Sequence, residues 1–445
     1  MNYFDNYEQN NKIPYDDIPI NRSNSKRRRK MTKSLRTNKI MAIFMAVLVV
    51  LNVILCYNCV YFIKHSRSKV INQYTIEISS DGASSSSEIA SIYKTEAYLT
   101  SICVAAGGTC KDETTFYNST AQRGSGVIYK IEEEKNTAYF ITCYHVVGGN
   151  EDKVWIMPAT ATSPIAVSVV AYSAHYDIAV LKLESDDLEG DLAGCKPIKT
   201  YDSTYVSMGE NVIAIGNSLA NGLSITEGDV SNVNVLVRIS GNNFYTRTIQ
   251  TSAEINPGNS GGGLFNAKGE FIGLVNAKKH STSSGSETVT VVGTAYAIPS
   301  NLVIGIADSL IKTKNKPIQI NLGAEFAYDS SINKVIEYVS YNDIYKPIEN
   351  YVVYIKSIVA GSVADDNLDL NDGVLNVNDV IKSIEFYVLE NGQTVAKHVD
   401  MYNIYVFEDY SFSIIKGSVV TFHIENGDTE KIVKIVASDT LTVTD

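Results

Sequence analysis

The stretch Thr251-Ser252-Ala253-Glu254-Ile255-Asn256-Pro257-Gly258-Asn259-Ser260-Gly261-Gly262-Gly263-Leu264 constrains this chain more than any other. Its serine has a glycine two residues before it and three glycines in succession after it. Gly258 lacks a Cβ, so its backbone takes conformations closed to other residues. A sharp turn of this kind aims the Gly258 and Ser260 N–H groups at one point beside the Ser260 hydroxyl. Backbone donors converging there suit an oxyanion forming on a carbonyl carbon under attack. A lone serine in a Gly-rich turn has the plainer reading of a loop, so the interpretation depends on partners elsewhere in the chain.

A serine hydroxyl is a weak nucleophile at neutral pH and needs a base. Of six histidines, His65 adjoins an apolar run, His280 follows two lysines in a polar stretch, and His398 and His423 fall in a later β-rich unit. His145 closes the run Phe140-Ile141-Thr142-Cys143-Tyr144, which puts an imidazole at a strand end; its plain alternative is a satisfied core histidine. His175-Tyr176-Asp177 precedes the apolar run Ile178-Ala179-Val180-Leu181. Asp177 is the candidate acceptor for the His145 Nδ1–H, holding the tautomer that offers Nε2 to Ser260, while His175 reads as a surface neighbour. The plain alternative for Asp177 is a turn or cap residue.

Taken in order, these segments resemble the chymotrypsin-fold serine proteases of the HtrA/Deg family. The nucleophile string N-P-G-N-S-G-G, the base segment T-x-x-H-V-V and the D-x-A-V-L-K segment are all present. So are Arg123-Gly124-Ser125-Gly126, Met208-Gly209-Glu210-Asn211-Val212-Ile213-Ala214-Ile215-Gly216-Asn217, Thr226-Glu227-Gly228-Asp229-Val230-Ser231 and Ala295-Tyr296-Ala297-Ile298-Pro299. Gly263 replaces the family's usual proline and Ser252 its usual aspartate. The resemblance implies His145, Asp177 and Ser260 as catalytic residues and an oxyanion hole built by the Gly258 and Ser260 N–H groups. It also implies misfolded or damaged polypeptides as substrates, and trimers or larger assemblies. Glu254, six residues before the serine, and Val275 in the run Phe271–Asn276 are candidate S1-pocket residues. A carboxylate at the pocket base favours a basic P1 residue and an apolar wall an aliphatic one. The alternative reading is a peptide-binding sensor on the same fold, inactive or active only conditionally.

The rest of the chain divides by texture. Residues 1–39 are polar and end in a basic run, Lys26-Arg27-Arg28-Arg29-Lys30, which reads as a disordered tail. Residues 40–63 carry no charge, and as a helix they reach about 36 Å, enough to cross a bilayer. The basic flank places the N-terminus in the cytoplasm and the rest outside the cell membrane. A cleaved signal peptide competes with this single-pass anchor. A Ser-rich linker covers 64–88, and 89–315 shows many short β-runs without βαβ alternation, as expected of the protease domain. Residues 316–445 resemble a small PDZ-like α+β domain, in which Leu322, Gly323 and Ala324 are the candidate loop for a peptide carboxylate.

The expected fold class is therefore mainly β: two six-stranded barrels of the chymotrypsin type, then the PDZ-like domain, all preceded by one transmembrane helix. A net charge of −11 argues against nucleic acid as a partner of the whole chain. No metal or organic cofactor is expected. Cys103 and Cys110 are close enough in sequence for a small-loop disulfide, whereas Cys143 and Cys195 read as buried thiols.

Overall fold

A computed structural model describes residues 86–443, apart from 109, 111, 119, 238–245, 277–280, 285–286, 291–294, 330–344, 348–351, 361, 363, 365–372, 391, 402–403 and 427–428, together with Met45. The chain divides into two units, Met1–Val70 and Ile71–Asp445, and every element below belongs to the second. No described helix is long and apolar enough to cross a membrane. The expected span at 40–63 lies outside the described residues, Met45 excepted. Helix α1 (Ser86–Tyr98) starts inside the stretch expected to be linker.

Six strands close the first barrel in the order β1-β2-β3-β6-β5-β4: β1 (Ser101–Ala106), β2 (Gln122–Glu132), β3 (Thr137–Cys143), β4 (Val154–Pro158), β5 (Ile165–Ser173) and β6 (Ile178–Glu184). β3 runs between β2 and β6, so it is covered on both sides, and Tyr139 is its one half-exposed residue. Aromatic and β-branched residues dominate it, as such a position favours. The α2 turn (Tyr144–Val147) follows at once.

The second barrel uses β7 (Asn211–Gly216), β8 (Ser224–Val237), β9 (Thr246–Thr251), β10 (Gly263–Asn266), β11 (Phe271–Asn276) and β14 (Ala295–Pro299). Their order is β8-β7-β10-β11-β14-β9, and pairing of β8 with β9 closes the ring. A hairpin, β12 (Ser281–Ser284) with β13 (Glu287–Thr290), stands apart from it. Helix α3 (Ser300–Thr313) then packs Leu302, Val303, Ile306, Ala307 and Leu310 into the first barrel's core, an i, i+3, i+4 stripe. Each large side chain buried there contributes about 2–3 kcal/mol. Ser300, its first residue, donates its hydroxyl to the Tyr201 carbonyl, and Pro299 holds the cap position.

The remaining chain builds an α+β unit. Its sheet runs β16-β18-β19-β21-β22 and comprises β16 (Ala324–Asp329), β18 (Val352–Ile358), β19 (Val380–Glu390), β21 (Val419–Asn426) and β22 (Thr429–Val436). β20 (Gln393–Asp400) pairs with β19 as a hairpin, and β15 (Ile318–Asn321) pairs with the last strand, β23 (Asp439–Thr442). Ile384, Phe386, Phe422, Val433 and Val406 from α4 (Ile404–Ser411) form its core. β17 (Tyr345–Pro347) pairs with the Val235–Val237 end of β8, adding a seventh strand to the second barrel's sheet.

Helix α4 joins this unit to the barrels through polar contacts. Arg247 of β9 pairs with Asp409, both about 1% exposed. The Tyr176 hydroxyl donates to Glu408 Oε1 at 2.8 Å. Asp202 accepts from Tyr410, Lys397, Thr204 and Asn301. Burial pushes the Glu408 carboxyl up to about 7 and Asp409 up to about 6. Burial also raises Asp202, but its four donors outweigh that and leave it at about 2.

Glu408 and Asp409 therefore keep their protons to higher pH in the folded chain than in the unfolded one, Asp409 being charged and paired with Arg247 above about pH 6. Their contribution to stability is complete below about pH 4 and is lost as pH rises through about 6 and about 7. Asp202 acts in the opposite sense, below about pH 4. Thermal stability should fall between about pH 5 and about pH 7, and Glu408→Gln should reduce that slope by about 1 kcal/mol, a figure discounted for partial solvent access. Calorimetry across this range checks it; an unchanged slope in Glu408→Gln would remove the carboxyl from this role.

Candidate active site

The end of β3 pairs with the start of β6, Cys143 opposite Ile178, which brings Asp177 beside the α2 turn. Asp177 has no exposed surface and a left-handed backbone, φ +57, a conformation that aspartate tolerates better than most residues. Its carbonyl accepts from the Tyr144 N–H at 3.0 Å. Its Oδ1 accepts from the His145 N–H at 2.8 Å, and its Oδ2 lies 2.6 Å from His145 Nδ1. One carboxylate thus grips both backbone and ring of the same residue. A ring engaged at Nδ1 is fixed in orientation and leaves Nε2 for other work. The Gln122 amide donates to the His145 carbonyl, and the His145 side chain remains 29% exposed.

A third donor reaches Asp177 from the other barrel: Asn276 Nδ2 lies 2.8 Å from Oδ2. In the sequence Asn276 reads only as the end of a pocket wall. The available signal was a polar residue closing the fully buried run Phe271–Val275.

The serine loop is seated by backbone contacts. The Ser260 carbonyl accepts from the Ser125 N–H at 2.8 Å, and the Gly261 N–H donates to the Val275 carbonyl at 2.8 Å. Gly261 has φ +84, and a Cβ there would fall 2.4 Å from Thr142 Oγ1 and 2.9 Å from the Cys143 nitrogen. That overlap fixes how closely the loop meets the last residues of β3. A Cβ on Gly124 would likewise meet Val146 at 2.5 Å and the Ser260 carbonyl at 3.1 Å. Ser260 is therefore held against the segment that carries His145, buried to 5% exposure.

Gly258 has φ +101, and a Cβ on it would fall 2.2 Å from the Asn217 carbonyl oxygen. The Ser125 hydroxyl donates to the Gly258 carbonyl at 2.7 Å and accepts from the Asn217 N–H at 2.7 Å. The Pro257 carbonyl accepts from the Leu219 N–H at 2.8 Å. A planar trans peptide directs its C=O and N–H to opposite sides. Tying the Pro257 carbonyl to Leu219 therefore points the Gly258 N–H away from the 217–220 turn. Ser125 stood inside a recognised motif, but its cross-linking of two loops was not legible there.

The other candidates lie elsewhere. Glu254 is exposed, takes an amide hydrogen from Asn256 at 3.2 Å, and does not sit in a buried slot. Val275 packs among Ile249, Ala297 and Leu264 in the second barrel's core. Leu322 is buried, the Gly323 N–H donates to Asn321 Oδ1 at 2.9 Å, and Ala324 opens β16 opposite Ile358. The Gly323 N–H thus already has an acceptor. Glu325 is matched by Lys356 at 2.6 Å and Ser357 at 3.0 Å. The possible Cys103–Cys110 disulfide is not formed: both cysteines are buried, packed with Phe116 and Met157. Burial pushes the Cys103 thiol up to about 12, which keeps it protonated and unreactive. Cys143 is a buried thiol, as expected, whereas Cys195 is partly exposed.

Residues 124–274 match the family model of the trypsin-like peptidase domain. The chain is 37% identical over 196 residues to the serine protease Do-like HtrA of Lactococcus lactis subsp. cremoris, a match covering 43% of this chain and 45% of that protein. It is 31% identical over 301 residues to the serine protease Do-like HtrA of Bacillus subtilis, covering 62% of this chain and 63% of that one. The chain thus spans less than half the length of the Lactococcus relative that it matches. A solved structure of the HtrA-type protease AlgW with tripeptide is similar at a TM-score of 0.47 and 20% identity, over 80% of this chain and 98% of that one. Residues 124–274 thus resemble a trypsin-like peptidase domain, within a chain similar to the Do-like HtrA serine proteases over part of their length.

Proposed function

We propose that the chain is a membrane-anchored serine endopeptidase that cleaves misfolded or damaged polypeptides outside the cell membrane. Ser260 attacks the scissile carbonyl, His145 takes its proton through Nε2 and returns it to the leaving amine, and Asp177 steadies the imidazolium. The Gly258 and Ser260 N–H groups receive the oxyanion. The observation that carries this reading is the grip of Asp177 on both the backbone and Nδ1 of His145, beside the Ser260 loop. The orientation of the Pro257–Gly258 peptide favours a competent hole over a resting one, and so favours an enzyme over a peptide-binding sensor. The anchor rests on the uncharged run at 40–63 and its basic flank.

The exposed Glu254 and the apolar run ending at Val275 favour a small aliphatic P1 residue over a basic one. The α+β unit fits a PDZ-like peptide-binding role, with its ligand gripped elsewhere than at the occupied Gly323 N–H. Trimeric assembly is proposed on the HtrA resemblance.

Ser260→Ala should lower casein cleavage by at least about 10⁴-fold and abolish labelling by a fluorophosphonate probe. Appreciable turnover by that variant would end the proposal. Asn276→Ala should lower kcat by about tenfold with little change in KM, because the Asn276 hydrogen bond to the Asp177 carboxylate is lost. Steady-state kinetics on a peptide substrate measures this; an unaltered kcat would make Asn276 a purely structural residue. For topology, external protease added to wall-free cells should digest residues 89–445, and their full protection would contradict an outward-facing anchor.

A further inference from the structure

We propose that the C-terminal α+β unit carries a zinc site formed by Glu385, His398 and His423, on the solvent-facing side of its sheet. The three residues lie on neighbouring strands, β19, β20 and β21, and the register puts them on one face. Glu385 stands directly opposite His398, and His423 stands opposite Ser383, two residues along β19. Their neighbours Ile384, Phe386, Phe422 and Ile424 point the other way, into the core. One donor atom from each of the three lies within 4.8 Å of the others. Glu385 Oε1 is 3.2 Å from His398 Nδ1 and 3.6 Å from His423 Nε2. Ligands bound to zinc at its usual bond lengths in a tetrahedron stand about 3.3 Å apart. The two separations to Glu385 therefore fall near that spacing.

The second observation is an orphaned atom. His423 Nε2 is buried and has no hydrogen-bond partner among the described residues. Its other nitrogen, Nδ1, lies 3.2 Å from Glu430 Oε1. A proton on Nδ1 shared with Glu430 leaves Nε2 as a lone pair facing the Glu385 carboxylate, two acceptors in opposition. A cation between them resolves that opposition. His398 repeats the pattern, with Nδ1 toward Glu385 and Nε2 3.6 Å from Asp400. A carboxylate behind each imidazole is the arrangement that fixes the ligating tautomer at zinc sites. Two imidazoles with a carboxylate suit zinc better than calcium or magnesium, which prefer oxygen alone. Such an ion would link three strands of the unit and raise its stability in proportion to occupancy.

Isothermal titration of the full chain, purified in detergent, with zinc chloride tests this. One saturable site is expected. His398→Ala and His423→Ala should each weaken it by at least tenfold, and Asp400→Asn by about tenfold. His145→Ala should leave it intact, which separates it from the Cys143, His145 and Asp177 donors of the candidate active site. On the wild-type chain, bound zinc should shield His398 and His423 from diethyl pyrocarbonate, a readout independent of how the variants fold. No binding at millimolar zinc, binding undiminished in both histidine variants, or histidines modified equally with and without zinc would each overturn the site.

Discussion

The Asp177 carboxylate is the point through which the two barrels and the candidate catalytic base are held in one arrangement. Two of its hydrogen bonds come from His145 in the first barrel and one from Asn276 in the second. With no exposed surface, the carboxylate has no water to replace a lost donor, so each partner is obligatory. A rotation of one barrel against the other would unpair it. The left-handed backbone at Asp177 belongs to the same constraint, because the Tyr144 N–H is bonded to its carbonyl while the side chain turns back to His145.

Glycines set how close the second barrel's serine loop comes to that point. The absent Cβ atoms of Gly124 and Gly261 are the space in which the Ser260 loop meets β3 and α2. Ser125 then ties that loop to the 217–220 turn from between them, its hydroxyl serving Gly258 and Asn217 at once. Backbone, and not long flexible side chains, thus positions the serine. Backbone placement costs no side-chain entropy.

Much of this was legible in the sequence, for stated reasons. Strands such as β3 and β6 are continuous β-branched and apolar runs, and the segments around His145, Asp177 and Ser260 are local strings whose order alone restricts the family. What was not legible depends on contacts distant in sequence. Asn276 reaches Asp177 from ninety-nine positions away, a separation no local pattern encodes. The pairing of β17 with β8 has the same character, joining residues far apart in sequence. Cys103 and Cys110 illustrate the opposite error: nearness in sequence suggested a bond, yet both thiols are absorbed into a small apolar cluster.

The contact between α4 and the barrels shows why its position is specified and not merely stabilised. A buried Arg247–Asp409 pair gains little net energy over apolar residues of similar volume, since desolvating both charges offsets their attraction. Leaving either one alone is costly, so any other seating of α4 that breaks the pair is strongly disfavoured. Glu408 extends the same logic to Tyr176, whose backbone adjoins Asp177. A helix of the C-terminal unit is thereby bonded to the residue next to the one that orients His145. Any ligand that moves α4 must either carry Tyr176 with it or break that hydrogen bond, and each outcome bears on the turn that holds Asp177 in its left-handed conformation.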